Sequence, residues 1–363
     1  MQSVPLTEAK QILVIRTDHI GDLILSTPFL KALRKSAPAA KITALLPSYT
    51  SQVLAGESFV DTIITYPDRD KLTSSFYDEL KGLNADIAIA LSPRTITYKL
   101  AYASGAPCRA GYFYTSRPLT AIMCKMLYLT HSMSFNINKE LALGHPIMHE
   151  VQQLGELAKA MGMAYEDDSL TLTLSPEEES ATNELRRNWK APVVVLQLHN
   201  NWLNLGWTIN NLVRLVGGLI MHAQGGEVII TYGAAESKLA ADLREALLQA
   251  APSSNTEASR VHLNGNADFR QWACLFNSAD YVVTPDTGAV HLAAALKKPV
   301  VAVYEPQTAT LCTQQWAPWQ VPHRSIIKSE DPGASMEKIF RALEQLVQDK
   351  AKSEMQHELQ QAN

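Results

Sequence analysis

No run of about 18 uncharged apolar residues, the length that crosses a bilayer as a helix, occurs anywhere in this sequence. Its opening, MQSVPLTEAKQ, has no charged segment followed by an apolar core, so the expectation is a protein neither exported by a classical signal nor spanning a membrane. Cysteines are few: Cys108, Cys124, Cys274 and Cys312 stand far apart, with no C-x-x-C pair. That spacing suits neither a zinc site nor a disulfide framework, and a reducing cytoplasm is the expected compartment. An excess of basic residues is missing too, since 32 Lys and Arg face 36 Asp and Glu for a net charge of −4. Nucleic acid is thereby disfavoured as a partner, and any anionic ligand must be met by a local cluster of donors. Low-complexity tracts are absent, and 46% hydrophobic with 19% charged residues is a globular composition.

What is present is alternation. Apolar, β-branched runs at 12–15, 42–46, 62–65, 87–91 and 109–112 are separated by amphipathic stretches, the pattern of a parallel sheet covered on both faces. The pattern then restarts, at 193–198, 228–231, 261–263, 281–284 and 300–304. With 363 residues available, this reads as two doubly wound Rossmann-like α/β domains in tandem. The expected division is an N-terminal domain over 1–172, a linker helix over 173–191 and a second domain over 192–333. A C-terminal helix over 334–363, able to pack back on the N-terminal domain, completes it. In SPEEESATNELRRNW, Ser175 is placed to cap the linker helix, with Pro176 at its first position and acids in its first turn. Met336, Ile339, Phe340, Leu343 and Leu346 repeat at helical spacing near the end, whereas the last dozen residues are polar and read as frayed.

Parallel sheets bind ligands at the carboxyl ends of their strands, so two such sheets facing a central cleft suit a two-substrate enzyme. A dinucleotide-dependent dehydrogenase is the obvious competitor. Its fingerprint needs three glycines in the first strand-to-helix turn, and RTDHIGDLILSTP offers only Gly21. That turn instead carries two carboxylates, Asp18 and Asp22, either of which could simply cap the following helix.

The wider stretch ILVIRTDHIGDLILSTPFLKALRKSAPAAKITALLP resembles the start of the glycosyltransferase family containing the ADP-heptose:lipopolysaccharide heptosyltransferases. Gly21-Asp22, Pro28-Phe29-Leu30 and Pro38-Ala39-Ala40 stand at its characteristic steps. The resemblance implies a GT-B architecture and Asp22 as the general base, with Asp18 left as a loop residue on the acceptor side.

A second match lies in ADYVVTPDTGAVHLAAALKKPVVAVYEP, which reads as strand, tight turn, helix and strand. The turn leaves the amides of Thr287, Gly288 and Ala289 at a helix start, a ready anion site, with His291 one turn on. Asp286-Thr287-Gly288 followed by His291 is similar to the family's donor-nucleotide motif, Asp-Thr/Ser-Gly-Xaa-Xaa-His. ITYGAAES resembles its adenosine-contacting segment and implies a ribose contact for Glu236. The strand leading to His199 and Asn200 resembles the one opening its nucleotide domain. SPRTITYKLAYASGAPCRAGY resembles an acceptor-side segment, implying Arg94, Lys99 and Arg109 as partners for acidic acceptor groups.

Two departures stand out. The loop HNNWLNLGWTINN has no lysine where the characterised heptosyltransferases hold one against the diphosphate, and Tyr304-Glu305-Pro306 replaces Tyr/Phe-Gly-Pro. Asn200, Asn201 and His199 are the candidates to compensate. His145 and His149, four apart on an expected helix, have no third ligand in view, and no metal site is expected. RPLTAIMCKMLYLTHSMSF reads as a core helix, with an amphipathic segment resting on a membrane as the alternative.

Taken together, the resemblance implies an inverting, metal-independent glycosyltransferase with no cofactor beyond a nucleotide-sugar co-substrate. It would move heptose from ADP-heptose to a lipopolysaccharide-core or related glycan or glycolipid acceptor. The implied place is the cytoplasm, in peripheral contact with the inner membrane. A sugar-nucleotide epimerase of the same architecture and a non-catalytic sugar-nucleotide-binding protein are the competing readings.

Overall fold

A computed structural model of the chain describes residues 6–67, 72–250, 260–265 and 267–361, with side chains as far as residue 356. It divides into two compact units, Met1–Thr173 and Leu174–Asn363.

The first unit holds β1 (Gln11–Ile15), β2 (Lys41–Pro47), β3 (Thr62–Tyr66), β4 (Ile87–Ala90), β5 (Cys108–Tyr114) and β6 (His131–Phe135). They pair all in parallel in the order β3-β2-β1-β4-β5-β6. Ile12, Leu13, Val14 and Ile15 of β1 are essentially inaccessible, as a strand covered on both faces must be. Its helices are α1 (Ile20–Leu25), α2 (Thr27–Ser36), α3 (Ser74–Gly82), α4 (Thr95–Ala103), α5 (Pro118–Met123), α6 (Ile137–Leu143) and α7 (Glu150–Ala160).

The second unit opens with α8 (Pro176–Arg187) and holds β7 (Val193–Gln197), β8 (Glu227–Tyr232), β9 (Val261–Gly265), β10 (Tyr281–Pro285), β11 (Val300–Tyr304) and β12 (His323–Ile327). Their order, β12-β11-β10-β7-β8-β9, repeats that of the first sheet. Between them run α9 (Ile209–His222), α10 (Ser237–Ala250), α11 (Phe269–Asn277), α12 (Gly288–Ala295) and α13 (Pro306–Gln315), and α14 (Pro332–Gln361) closes the chain.

Both sheets reverse direction beside their first strand, between β1 and β4 and between β7 and β10. At such a point the connections leave to opposite faces, and the diverging loops open a crevice at the carboxyl ends of the strands. The fold thus predicts one ligand crevice per unit, flanked by the loops after β1 and β4 and by those after β7 and β10.

Ser175 caps α8 and Glu178 completes the capping box, as the sequence implies. The helix is no free linker, because Glu178 pairs with Arg270 of α11 at 2.5 Å and Arg186 with Asp280 at 2.7 Å. It belongs to the second unit. So does α14: Met336, Ile339, Leu343 and Leu346 are buried in the core cluster that holds Leu215 and Leu219 of α9. The apolar stripe is thus occupied within the second unit, and the helix runs through Gln361.

The segment after Arg117 also departs from expectation. It is not one core helix: α5 passes into a π-turn at Cys124–Tyr128 and then into β6, and no residue of α5 is buried. No helix among the described residues is long and apolar enough to cross a membrane.

Candidate functional site

The crevice of the first unit is built on a buried arginine. Arg16 leaves β1 with its side chain 1% exposed and gathers three carboxylates. Its Nε lies 2.7 Å from Asp18 Oδ1, and its Nη2 lies 2.5 Å from Glu150 Oε1 and 3.4 Å from Asp22 Oδ1. Nη1 donates to the Leu91 carbonyl at 2.5 Å, so the guanidinium ties the loops after β1 and β4 together. Ser92 donates to Asp18 Oδ2 at 2.8 Å, and the hydroxyls of Thr17 and Thr97 meet at 2.8 Å. Both oxygens of Asp18 are therefore engaged inside the protein, and its carboxylate anchors Arg16 and Ser92 instead of standing open to an acceptor.

Asp22 is differently placed. It is the third residue of α1, not the first, and its Oδ2 accepts from the His19 amide at 3.0 Å in a capping box. The capping and chemical readings of this residue coexist, since the other oxygen faces Arg16. Burial, followed by the nearby Asp18 charge, pushes the Asp22 carboxyl up to about 7, against the opposing pull of Arg16. A base that titrates near the working pH is suited to taking a proton from a hydroxyl.

Next to this cluster lies a cavity of 250 Å³ lined by Thr17, Ser48, Tyr49, Tyr66, Arg94 and Ile96, among others. Arg94 is exposed and donates to the Thr17 carbonyl at 3.4 Å, while Tyr49 Oη donates to the Asp18 carbonyl at 3.0 Å. Lys99 is exposed on α4. Arg109 is not brought to them. It stands at the amino end of β5, the opposite edge of a parallel sheet, and its guanidinium is spent on the carbonyls of Ala106, Leu127 and Tyr128.

In the second unit, the loop after β7 carries His199, Asn200 and Asn201. Asn200 Nδ2 donates to Glu236 Oε1 at 3.1 Å, and His199 Nε2 lies 3.8 Å from the same oxygen. Three of the sequence-derived donor residues, from loops after β7 and β8, thus meet around one buried carboxylate. At β10, Thr287 caps α12 by accepting from Ala289 N at 3.4 Å, so the amides of Thr287 and Gly288 lie at the open first turn. His291 follows in that helix and is buried. Burial raises the Asp286 carboxyl above its usual range, a hydrogen bond with Cys312 partly opposing it. Asp286 joins Asn201, Asn204, Glu305, Gln307 and Thr308 in lining a cavity of 400 Å³.

The two departures noted in the sequence are connected. Lys328, directly after β12, is buried, and its Nζ lies 3.2 Å from Glu305 Oε1. The same ammonium donates to the carbonyls of Asn201, Trp202 and Asn204 at 2.8, 3.2 and 3.1 Å and lies 5.5 Å over the Trp207 ring. A cation absent from the lysine-free loop is thereby supplied beneath it from 120-odd residues downstream, and it neutralises the carboxylate that replaces glycine.

Sequence reasoning missed Glu150, Tyr49 and Lys328 as site residues. Lys328 follows a strand the apolar pattern did not disclose, and Glu150 sits at the start of α7, far along the chain from Arg16. His145 and His149 do not form a pair on one helix: His145 lies 2.9 Å from Glu140, and His149 caps α7. Among the described residues no group of three or more His, Cys, Asp or Glu side chains is arranged to hold a metal ion.

Comparison with known proteins gives these sites a context. The family model for glycosyltransferase family 9 (heptosyltransferase) matches residues 73–343. Lipopolysaccharide heptosyltransferase 3 of Escherichia coli is 22% identical over 307 residues, covering 82% of this chain and 83% of the relative. A family 9 glycosyltransferase from Veillonella parvula superposes with a TM-score of 0.74 at 18% identity, covering 96% of this chain and 99% of that one. ADP-heptose lipopolysaccharide heptosyltransferase II of Escherichia coli superposes with a TM-score of 0.69 at 20% identity, covering 94% and 99%. Two parallel six-stranded sheets with flanking helices are the GT-B fold of these structures. With the matched region spanning well over half its length, the chain belongs to glycosyltransferase family 9, the heptosyltransferase family.

Proposed function

We propose that the chain transfers heptose from ADP-heptose to a hydroxyl of a lipopolysaccharide-core acceptor, with inversion at the anomeric carbon. Asp22 takes the proton of the acceptor hydroxyl, the freed oxygen bonds to the anomeric carbon, and the bond from that carbon to the diphosphate oxygen breaks. The leaving diphosphate carries the departing electron pair and is met by the α12 amides and His291. Glu236, with Asn200 and His199 around it, takes the ribose hydroxyls, and Arg94 with Lys99 receives acidic groups of the acceptor. The transition state has oxocarbenium character, as in glycoside cleavage. No cofactor or metal takes part in this reading, and the reaction runs in the cytoplasm.

The observation that carries this reading is Asp22 itself: a largely buried carboxylate, oriented by His19 and Arg16, raised to about 7 and held in the turn after β1, at the first unit's switch point. Asp22→Asn keeps the shape and removes the base. With ADP-heptose, a heptose-deficient core acceptor and EDTA present, transfer by the variant should fall by about 10²–10⁴-fold while ADP still raises the melting midpoint as in the parent. Transfer at the parental rate would remove Asp22 from this role. Conversion of the donor in the absence of any acceptor would identify an epimerase, and nucleotide binding without turnover on any acceptor would identify a binding protein.

A further inference from the structure

The helix that the apolar pattern assigned to the core is moored by one face only. Cys124 and Tyr128, at the ends of the π-turn, are buried in the cluster that also holds Tyr98 and Phe113. The other face is bare: Leu119 is 75% exposed, Ile122 53% and Met126 82%. These three stand at i, i+3 and i+7, so they project from one side of the α5 turn and its continuation. Leu127 and Tyr102 extend the bare surface, the Tyr102 ring meeting the buried Tyr128 ring at 6.1 Å. Large apolar side chains clustered in water mark a binding surface far more often than they mark nothing.

Charge identifies what covers it. Although the chain carries a net −4, residues 87–139 contain no Asp or Glu at all, against six cations: Arg94, Lys99, Arg109, Arg117, Lys125 and Lys139. Arg117 directly precedes α5, Lys125 is exposed in the π-turn, and Arg109 stacks on Tyr102 at 5.4 Å. A protein partner of ordinary surface composition has no need of a 53-residue stretch free of acids. An anionic bilayer does, because each carboxylate near its surface would be repelled while each Lys or Arg is attracted.

We infer that the α5 face, with Leu119, Ile122 and Met126 inserted and Arg117 and Lys125 at the headgroups, docks on the surface of an anionic phospholipid bilayer. Its place in the fold is consistent with use. The α4 and α5 helices follow the carboxyl ends of β4 and β5, the edge that carries Asp22, and Arg117 donates to the Pro93 carbonyl at 3.3 Å beside Arg94. A lipid-borne acceptor held at that surface would approach the first unit's cavity from the membrane. The docking itself rests on exposure and charge, and stands or falls apart from the identity of the reaction.

The test is sedimentation of the full chain with vesicles of phosphatidylcholine alone or mixed with phosphatidylglycerol. Binding should require the anionic lipid and weaken at high salt. The triple variant Leu119→Ser, Ile122→Ser, Met126→Ser alters only exposed side chains and should keep the parental melting midpoint while its partition onto anionic vesicles falls about tenfold or more. A second variant, Arg117→Glu with Lys125→Glu, should lose binding without touching the apolar face. Equal sedimentation of parent and triple variant would overturn the inference. So would failure of the parent to bind anionic vesicles, including the case in which the triple variant instead dissolves a dimer of this chain.

Discussion

At the scale of single residues, the first crevice is an exercise in sharing one positive charge. Arg16 faces Asp18, Asp22 and Glu150, and its own guanidinium stays firmly protonated among them. Asp18 is satisfied by two neighbours, whereas Asp22 holds the longest contact to Arg16 and carries the raised carboxyl. Glu150 raises it further while competing for the same Nη2. Glu150→Gln removes a negative neighbour and frees Arg16 for Asp22, and both changes favour the ionised base. A base with a lowered pKa is active at lower pH, so the acid limb of the kcat/KM profile should move down from the region of 7, by about one unit. A merely structural Glu150 would lower activity at all pH values and leave the limb where it was. The sequence made Asp22 legible because its turn matches a family pattern; it could not show Glu150, because nothing local ties residue 150 to residue 16. The part Asp18 plays was hidden for the same reason: the Ser92 hydroxyl that engages it comes from the loop after β4, and the Glu150 that shares Arg16 with it comes from α7, both remote in the chain.

At the scale of elements, the strands found from the sequence are those whose pattern is apolar, and the two that escaped are β6 and β12, HSMSF and HRSII. Both lie at the edge of a sheet and are only partly buried, so no continuous hydrophobic run is required of them. Missing β12 hid the residue just beyond it. In a parallel sheet every strand delivers its following loop to the same edge, which is how Lys328 reaches beneath the loop after β7. The α5 turn failed for the converse reason: apolar residues at helical spacing signal burial only when something exists to bury them. Burial lowers the Lys328 ammonium from its usual range, with Glu305 pulling the other way. Lys328→Met leaves three carbonyls and Glu305 without that donor and should cost about 1–3 kcal/mol in denaturant unfolding. Adding Glu305→Gln should recover part of the loss, giving a non-additive cycle. In donor kinetics the single variant should raise KM more than it lowers kcat, since the loop it releases lines the 400 Å³ cavity and carries no reacting group in the proposed mechanism.

At the scale of the whole molecule, one topology is used twice. Both sheets follow the same order outward from their first strand, and every pairing in each is made within its own unit. The core clusters divide the same way: one draws on Leu13 to Leu129, the other on Val194 to Leu346. The repeated strand pattern made this duplication readable, but the boundary was less so, because a well-capped helix beginning at Pro176 looks identical whether it bridges two domains or packs in one. The Glu178–Arg270 and Arg186–Asp280 pairs assign it to the second unit, moving the expected boundary from a linker at 173–191 to a single step after Thr173. A unit with its own sheet, core and terminal helix meets the conditions for folding alone. Residues 174–363 expressed by themselves should therefore unfold in one cooperative transition, and a fragment starting at residue 192, which lacks α8, should be less stable by about 2 kcal/mol or more, the scale of taking Arg186 from the partly buried Asp280 and leaving the α11 face uncovered. Because the proposed donor contacts Asp286, Thr287, His291 and Glu236 all lie in this piece, ADP should raise its melting midpoint as it does that of the full chain. A fragment that folds yet ignores ADP would move the nucleotide contacts out of the second unit, and a fragment that does not fold would show that its stability is borrowed from the first.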